Sequence, residues 1–460
     1  MLMKPVLMAF TAIAMARADG ETGALAFGRE SILVRPLTPS GPSDTKEVNL
    51  FPLGEARAIV VTNLRSAGAG SLRAAIDGKG PRLIVFEVGG VIDLGGQDLQ
   101  VREALAFIAG ETAPDPGITI IRGSLVIETD HVIVRHLAVR PGDGRPSPSL
   151  AWQPDGIAVS RQRTPVHDVL IQNCSATWAV DENLSVSGPA DTRPAAGPDA
   201  TAHDVTLRNN LIAEGLLNST HAKGPHSMGT LIHDGIAGIL VQGNLFAHNR
   251  ERNPRLKGGV KAVIQGNVIY NWGSAAIGVG SKGDRETLDG VEAVIANNVA
   301  IAGPNTTSPV LVRAVDPGAH VLSVNNLAVD AAGRAIQKLD GGITATSALP
   351  AWASAARLRD SSPNAVATLA AVLKRAGARP ARRDPIDQRI VAAVIEGSGR
   401  IIDSQSEVGG YPARAEARRE VKVPDGDGAR RAWLGALMGA LDSDEALDVG
   451  PLLKRLKIAH

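Results

Sequence analysis

The sequence predicts an all-β fold, a right-handed parallel β-helix followed by a helix-rich C-terminal extension. Three observations point there. Short β-rich segments with one internal layout recur through the middle of the chain, glycine and proline are abundant at 50 and 28 of 460 residues, and helical periodicity is confined to the C-terminal part. A chain so rich in turn formers suits short strands better than long helices. Its 44% hydrophobic content comes mostly from Val, Ile, Leu and Ala, with 3% aromatic, which is ordinary globular material long enough for one large core and a second unit. The 48 basic and 47 acidic residues leave a net charge of +1. No whole-molecule field then draws the chain to nucleic acid or to an anionic membrane, and its charges must act locally.

The N-terminus reads MLMKPVLMAFTAIAMARADG. One lysine, an apolar run and a small-x-small triplet at Ala16-Arg17-Ala18 make residues 1–18 a signal peptide. The run is short of the ~20 residues that a bilayer needs. A secreted product, periplasmic or extracellular, is expected, with no membrane association once the leader is removed. Cys174 is the single cysteine. No intramolecular disulfide can form, and a lone thiol in an apolar strand reads as a small core residue.

The repeat comprises HVIVRHLAV at 131, HDVLIQNCSAT at 167, HDVTLRNNLIAEG at 203, AGILVQGNLFAHN at 237, KAVIQGNVIYNWG at 261, EAVIANNVAIAG at 292 and HVLSVNNLAVD at 320. Each alternates apolar residues, passes an Asn or His, and ends in a second apolar pair. The spacing of about 23 to 37 residues is that of a solenoid with variable inserts. Asn173, Asn210, Asn244, Asn267, Asn298 and Asn326 are expected to stack one per coil, which satisfies a buried row of amides cheaply. Trp178 and Trp272 are expected in the core.

After residue 345 the period changes. NAVATLAAVLKRAGA and DPIDQRIVAAVIEGSG have apolar residues at helical spacing, and GARRAWLGALMGALDSDEALDVGPLLKRLKIAH suggests one or two further helices. RIIDSQSEVGGYP is too polar and Gly-rich for a helix and is expected to cross the coil surface. The organisation is therefore 1–18 leader, 19–345 coil, 346–460 extension.

Stacked rungs bring residues of the same phase about 5 Å apart. Asp155 in DGIAVS, Asp181 and Glu182 in WAVDENLSVSG, Lys223 in HAKGPHSMG and the cation cluster RERNPRLKGG at 250–259 then fall on one face. Clustered carboxylates are costly unless they hold a cation, and hard oxygen donors point to calcium. Cations beside a metal suggest an anionic substrate clamped between them. His221 and His226 are expected to be hydrogen-bonded structural residues.

These residues carry a resemblance. VTNLRSAGAGSLRAAI, ETAPDPGITI, VIVRHLAVRPGD, CSATWAVDENLS, HAKGPHSMG, RNPRL and NVIYNWG, in this order, resemble the pectate lyases of polysaccharide lyase family 1, and 384–412 resembles the C-terminal extension of bacterial members. The resemblance implies a lyase domain over 19–345, cleavage of polygalacturonate (the pectin backbone) by β-elimination, Ca2+ at Asp155, Asp181 and Glu182, Arg252 as the base, and Lys223, Arg255 and Lys257 as binders of substrate carboxylates. An acidic polysaccharide is the expected partner, and a monomer the expected state. Two departures stand out: Gln172-Asn173 replaces Asp-His before the cysteine, and Ser185 stands where many calcium-binding members have a second acid. They leave open a non-catalytic β-helix that binds acidic glycans, and the Pro-rich inserts GDGRPSPSLAWQP at 142–154 and SGPADTRPAAGPDATA at 187–202, placed to reshape the cleft, leave open a lyase for another uronate polymer. A hydrolase on the same coil fits less well, since hydrolysis does not require so many cations beside its acids.

Overall fold

The structure is a computed structural model, and it describes residues 46–144, 152–160, 166–188, 201–280, 290–315, 317–353, 364–412, 416–442 and 447–458. The expected leader at 1–18 and most of the Pro-rich inserts at 142–154 and 187–202 lie outside the described residues. Three sheets of eleven, nine and ten described strands run the length of the coil. Successive strands of one turn fall in different sheets, and each pairs in parallel with its counterpart one turn on, as Val169 beside Val205 or Leu211 beside Leu245. This is the expected parallel β-helix, and its last strand is Ile343–Ala345.

Inward residues of all three sheets, among them Val134, Ile171, Leu207, Val241, Ile264 and Ile295, form one continuous core. Trp178 and Trp272 are fully buried, as is Cys174, whose thiol pKa burial pushes up to about 12.

The amide row is a ladder of Asn210, Asn244, Asn267, Asn298 and Asn326. From Asn244 onward each side-chain oxygen accepts from the backbone and side-chain N–H groups of the previous rung's asparagine, at 2.8 to 3.0 Å. Asn173 is not part of it. Cys174 occupies that phase and donates its backbone N–H to Asn210 at 2.9 Å. Asn173 sits one position earlier, in a second row of left-handed residues that includes His136, Asn209, Gly243, Gly266, Asn297 and Asn325. Asparagine and glycine tolerate that conformation, so the asparagine of QNC serves the turn and that of NNL the ladder.

The extension contains helices Ala365–Arg375, Pro385–Glu396, Asp427–Leu441 and Gly450–Arg455. Leu369, Val372, Leu373, Ile390 and Val394 pack on the outer residues Leu211, Leu245, Val268, Val299 and Leu327 of the ten-stranded sheet. The polar segment crosses the coil as expected: the Gln405 amide donates to Asp143 at 2.6 Å and the Tyr411 hydroxyl to the Pro141 carbonyl at 2.5 Å. The pairing of Ala417–Arg418 antiparallel to the strand Val88–Asp93 had no sequence signal. The eleven-stranded sheet is capped by Val48, Phe51 and Leu434 at one end and Ala353 at the other. Among the described residues, no such apolar cover lies on the nine-stranded sheet.

Candidate active site

Strands Ile157–Ser160, Glu182–Ser187, Met228–His233 and Arg255–Lys257 are neighbours in the nine-stranded sheet. The turn or strand start at each carries a sequence-predicted group or its support. Parallel pairing sets their order, with Ile157 beside Leu184, Glu182 beside Met228, and Met228 beside Glu251. Gly156 permits the first crossing, because a Cβ there would stand 2.3 Å from the Asn183 carbonyl oxygen.

Asp155, Asp181 and Glu182 each bring one oxygen within 4.8 Å of the others. Asp155 accepts from the Ser185 hydroxyl at 2.5 Å and from the Glu182 amide at 3.1 Å. Burial, and after it the charge of Asp181, push its pKa up to about 7. Burial also works against ionisation of Asp181, but the hydrogen bond from His226 and the charges of His226, His221 and Arg252 outweigh it and hold the group below the usual carboxylate range. The imidazoles of His221 and His226 stack with centroids 3.4 Å apart, and their Nε2 atoms lie 3.4 and 3.3 Å from the two oxygens of Asp181.

Arg252 occupies a left-handed turn position, φ 63°, and its guanidinium pairs with Glu182. Burial lowers its pKa from the ordinary arginine value and the charge of Arg255 lowers it further, against the opposing pull of Asp181 and Asp155. A buried amide cluster holds this turn. Asn183 donates to Asn249 at 3.0 Å, and Asn249 donates to Asn253 at 3.0 Å. Gly229 lies beneath it, where a Cβ would come within 2.5 Å of the Arg252 carbonyl oxygen.

Arg255 and Lys257 flank the buried Leu256 and share the outer face of the sheet. Arg255 has Leu231 and Gly278 as its neighbours across the rungs, and Lys257 has His233. Lys223 is exposed on the preceding loop, where its backbone N–H donates to His221 Nδ1 at 3.0 Å. Its charge is felt at His221. The structure thus gathers Asp155, Asp181 and Glu182 within 4.8 Å of one another, pairs Glu182 with Arg252 and places Arg255 within electrostatic reach. Lys257 lies further along the same face, and Lys223 makes no ion pair among the described residues.

Sequence reasoning missed the clasp of both histidines on Asp181 and the amide cluster under Arg252. The spacing of HAKGPHS was the available signal for the first. An all-oxygen set in which burial, and after it the charge of Asp181, raises the pKa of Asp155 fits a hard divalent cation such as calcium. Each oxygen of Asp155 already accepts one hydrogen bond, from Ser185 or the Glu182 amide, and Glu182 is engaged by Arg252, so an ion would share these oxygens with protein donors.

No protein-family model matches the chain. A probable pectate lyase C from Neosartorya fischeri is 30% identical over 385 residues, 81% of this chain and 81% of that protein. One from Aspergillus terreus is 35% identical over 257 residues, 55% of this chain and 52% of its own length. The chain thus spans about half the length of the latter relative. Among solved structures, a pectate lyase bound to a hexasaccharide shares 14% identity over 73% of this chain and 94% of that one, with a TM-score of 0.44.

Proposed function

The chain belongs to the pectate lyase family, and from that premise we propose that it cleaves polygalacturonate by β-elimination with Arg252 as the base. The observation that carries this reading is the half-buried Arg252 set between the carboxylate cluster and Arg255. In the proposed reaction Arg252 takes the proton from C5 of a uronate. The electron pair of the C5–H bond becomes the C4–C5 double bond, the C4–O bond breaks, and the departing oxygen is protonated from solvent. A free guanidinium is a poor base. Burial and the neighbouring Arg255 act in the direction that makes neutral Arg252 accessible, so an alkaline optimum is expected. Substrate binding requires Arg252 to exchange its pairing with Glu182 for the uronate.

Asp155, Asp181 and Glu182 are the residues that would hold calcium, and an ion there would offset the uronate carboxylate charge and acidify the C5 proton. Arg255, Lys257 and Lys223 supply cations for further carboxylates of the polymer, with Arg255 also favouring the enolate-like charge that develops at the reacting sugar. Export through residues 1–18 and a monomeric state complete the proposal.

The test is the ultraviolet absorbance of unsaturated product from polygalacturonate at alkaline pH, with calcium or chelator. Wild type should turn over only with calcium, and Arg252→Ala should lose about 10²–10⁴-fold in kcat, the share typical of a proton-transfer group. Turnover in Arg252→Ala at the wild-type rate would remove Arg252 from this role. Absence of product in wild type, on this substrate and on methylated pectin, would favour another uronate polymer or simple glycan binding.

A further inference from the structure

Where strands enter the eleven-stranded sheet, His131, His167 and His203 stand on successive turns. Each Nδ1 faces a carboxylate next to it in sequence: Asp130 at 2.8 Å, Asp168 at 2.9 Å and Asp204 at 3.0 Å. An ionised carboxylate only accepts, so Nδ1 of His167 carries the proton that faces Asp168 and its Nε2 is left to ligate an ion; at His131 the ligand would be Nδ1, which gives up its proton to lie beside the Asp130 oxygen on the same ion. A carboxylate on the far nitrogen is also how metal-bound histidines are oriented and made more basic.

The first two rungs differ from the third in a way that matters for coordination. The rings of His167 and His203 are stacked, 14° apart, so their edges run side by side. Those of His131 and His167 are 76° apart, which allows their edges to converge on one point. His167 Nε2 lies 3.7 Å from the Asp130 Oδ2 that faces His131 Nδ1. That separation is too long for a hydrogen bond. It is close to the roughly 3.4 Å between donor atoms that each sit about 2.0–2.1 Å from a tetrahedral ion. Asp130, His131 and His167 each offer an atom within 4.8 Å of the others, and all three side chains are partly exposed, so an ion has a path in from solvent.

We propose that Asp130, His131 and His167 form a surface site for a borderline divalent transition metal ion such as zinc. Imidazole nitrogens with one carboxylate suit zinc, copper or nickel and not the all-oxygen preference of calcium. The corner is distinct from the candidate active site, which lies where strands enter the nine-stranded sheet. Occupancy would clip two turns of the coil together on the outside of the eleven-stranded sheet.

The experiment is calorimetric titration of the chelator-treated full chain with zinc chloride in excess calcium chloride, which keeps the oxygen cluster occupied. One zinc per chain is expected, with at least tenfold weaker binding in His167→Gln and in Asp130→Asn and unchanged binding in His226→Gln. The circular dichroism spectrum checks that every variant folds, and calcium-dependent turnover checks the two corner variants, which lie outside the candidate active site. Should His167→Gln not fold, Asp130→Asn, altered at a partly exposed carboxyl, gives the same reading. Absence of zinc binding by wild type, undiminished binding in the folded corner variants, or loss of binding in His226→Gln would each overturn the proposal, the last by assigning the zinc to the Asp181 histidines.

Discussion

His136 shows how far one buried side chain can set a response to pH. It occupies the left-handed turn between two strands, with Nδ1 donating to the Ala378 carbonyl at 2.7 Å, a bond that ties the extension to the coil. Burial lowers its pKa to about 3, so the unfolded chain, titrating near 6.5, binds more protons than the folded one between those values. Stability contributed by neutral His136 is therefore complete above pH 6.5 and is lost as pH falls toward about 3. Other turns of the coil carry Asn173, Asn209, Asn297 and Asn325 at this phase, so asparagine fits the backbone. His136→Asn should fold and should lose less melting temperature than wild type between pH 6.5 and 4. Equal losses in the two proteins would assign acid sensitivity to other groups. The same comparison explains why Asn173 was misread: two adjacent phases both accept asparagine, and only the hydrogen bonds tell them apart.

At the scale of elements, the ladder makes a quantitative demand. Asn267 accepts two N–H bonds from Asn244 and donates to Asn298 and to the Val241 carbonyl. Asn267→Ala keeps its backbone bond but strands several buried groups, each costing about 1–3 kcal/mol. A loss of roughly 3–5 kcal/mol in denaturant unfolding is expected, and a loss under 1 kcal/mol would mean that the ladder relaxes or admits water. Gly229→Ala tests the turn above it differently. The added Cβ pushes on the Arg252 carbonyl and the Asn253 side chain, so kcat should fall at least tenfold while the melting temperature changes by only a few degrees. A normal kcat would mean that Arg252 need not be held there. The strands were legible because their period of two and their asparagines are local signals. The pairing of Arg252 with Glu182, and the clasp of His221 and His226 on Asp181, join residues 40 to 70 positions apart. Loops of unequal length separate them, so sequence spacing could bring them to one face but could not give the contacts.

The whole molecule narrows the choice of working face by covering the other two. The ten-stranded sheet lies under the extension's helices and the eleven-stranded sheet is capped at both ends, whereas among the described residues no apolar cover lies on the face that carries Arg255 and Lys257. Helical periodicity revealed the extension, but not the polar lock that docks it. Arg140 is fully buried and pairs with Asp384 at 2.9 Å and Asp387 at 2.7 Å, and Asp387 also accepts from the Ser175 hydroxyl at 2.5 Å. Asp384 in turn caps the helix Pro385–Glu396. Breaking a buried pair by removing one partner typically costs about 3–5 kcal/mol because the other charge stays buried. Deleting 364–460 is more severe, since it uncovers the Leu211, Leu245, Val268, Val299 and Leu327 row and leaves Arg140 without either acid. An exposed apolar stripe of that kind drives association. The truncated chain should bind a hydrophobic dye and aggregate, seen by light scattering, even though every residue of the candidate active site remains. A truncated chain that stays monodisperse and turns over polygalacturonate at the full-length rate would mean that the coil is self-sufficient and that the extension serves something other than cover.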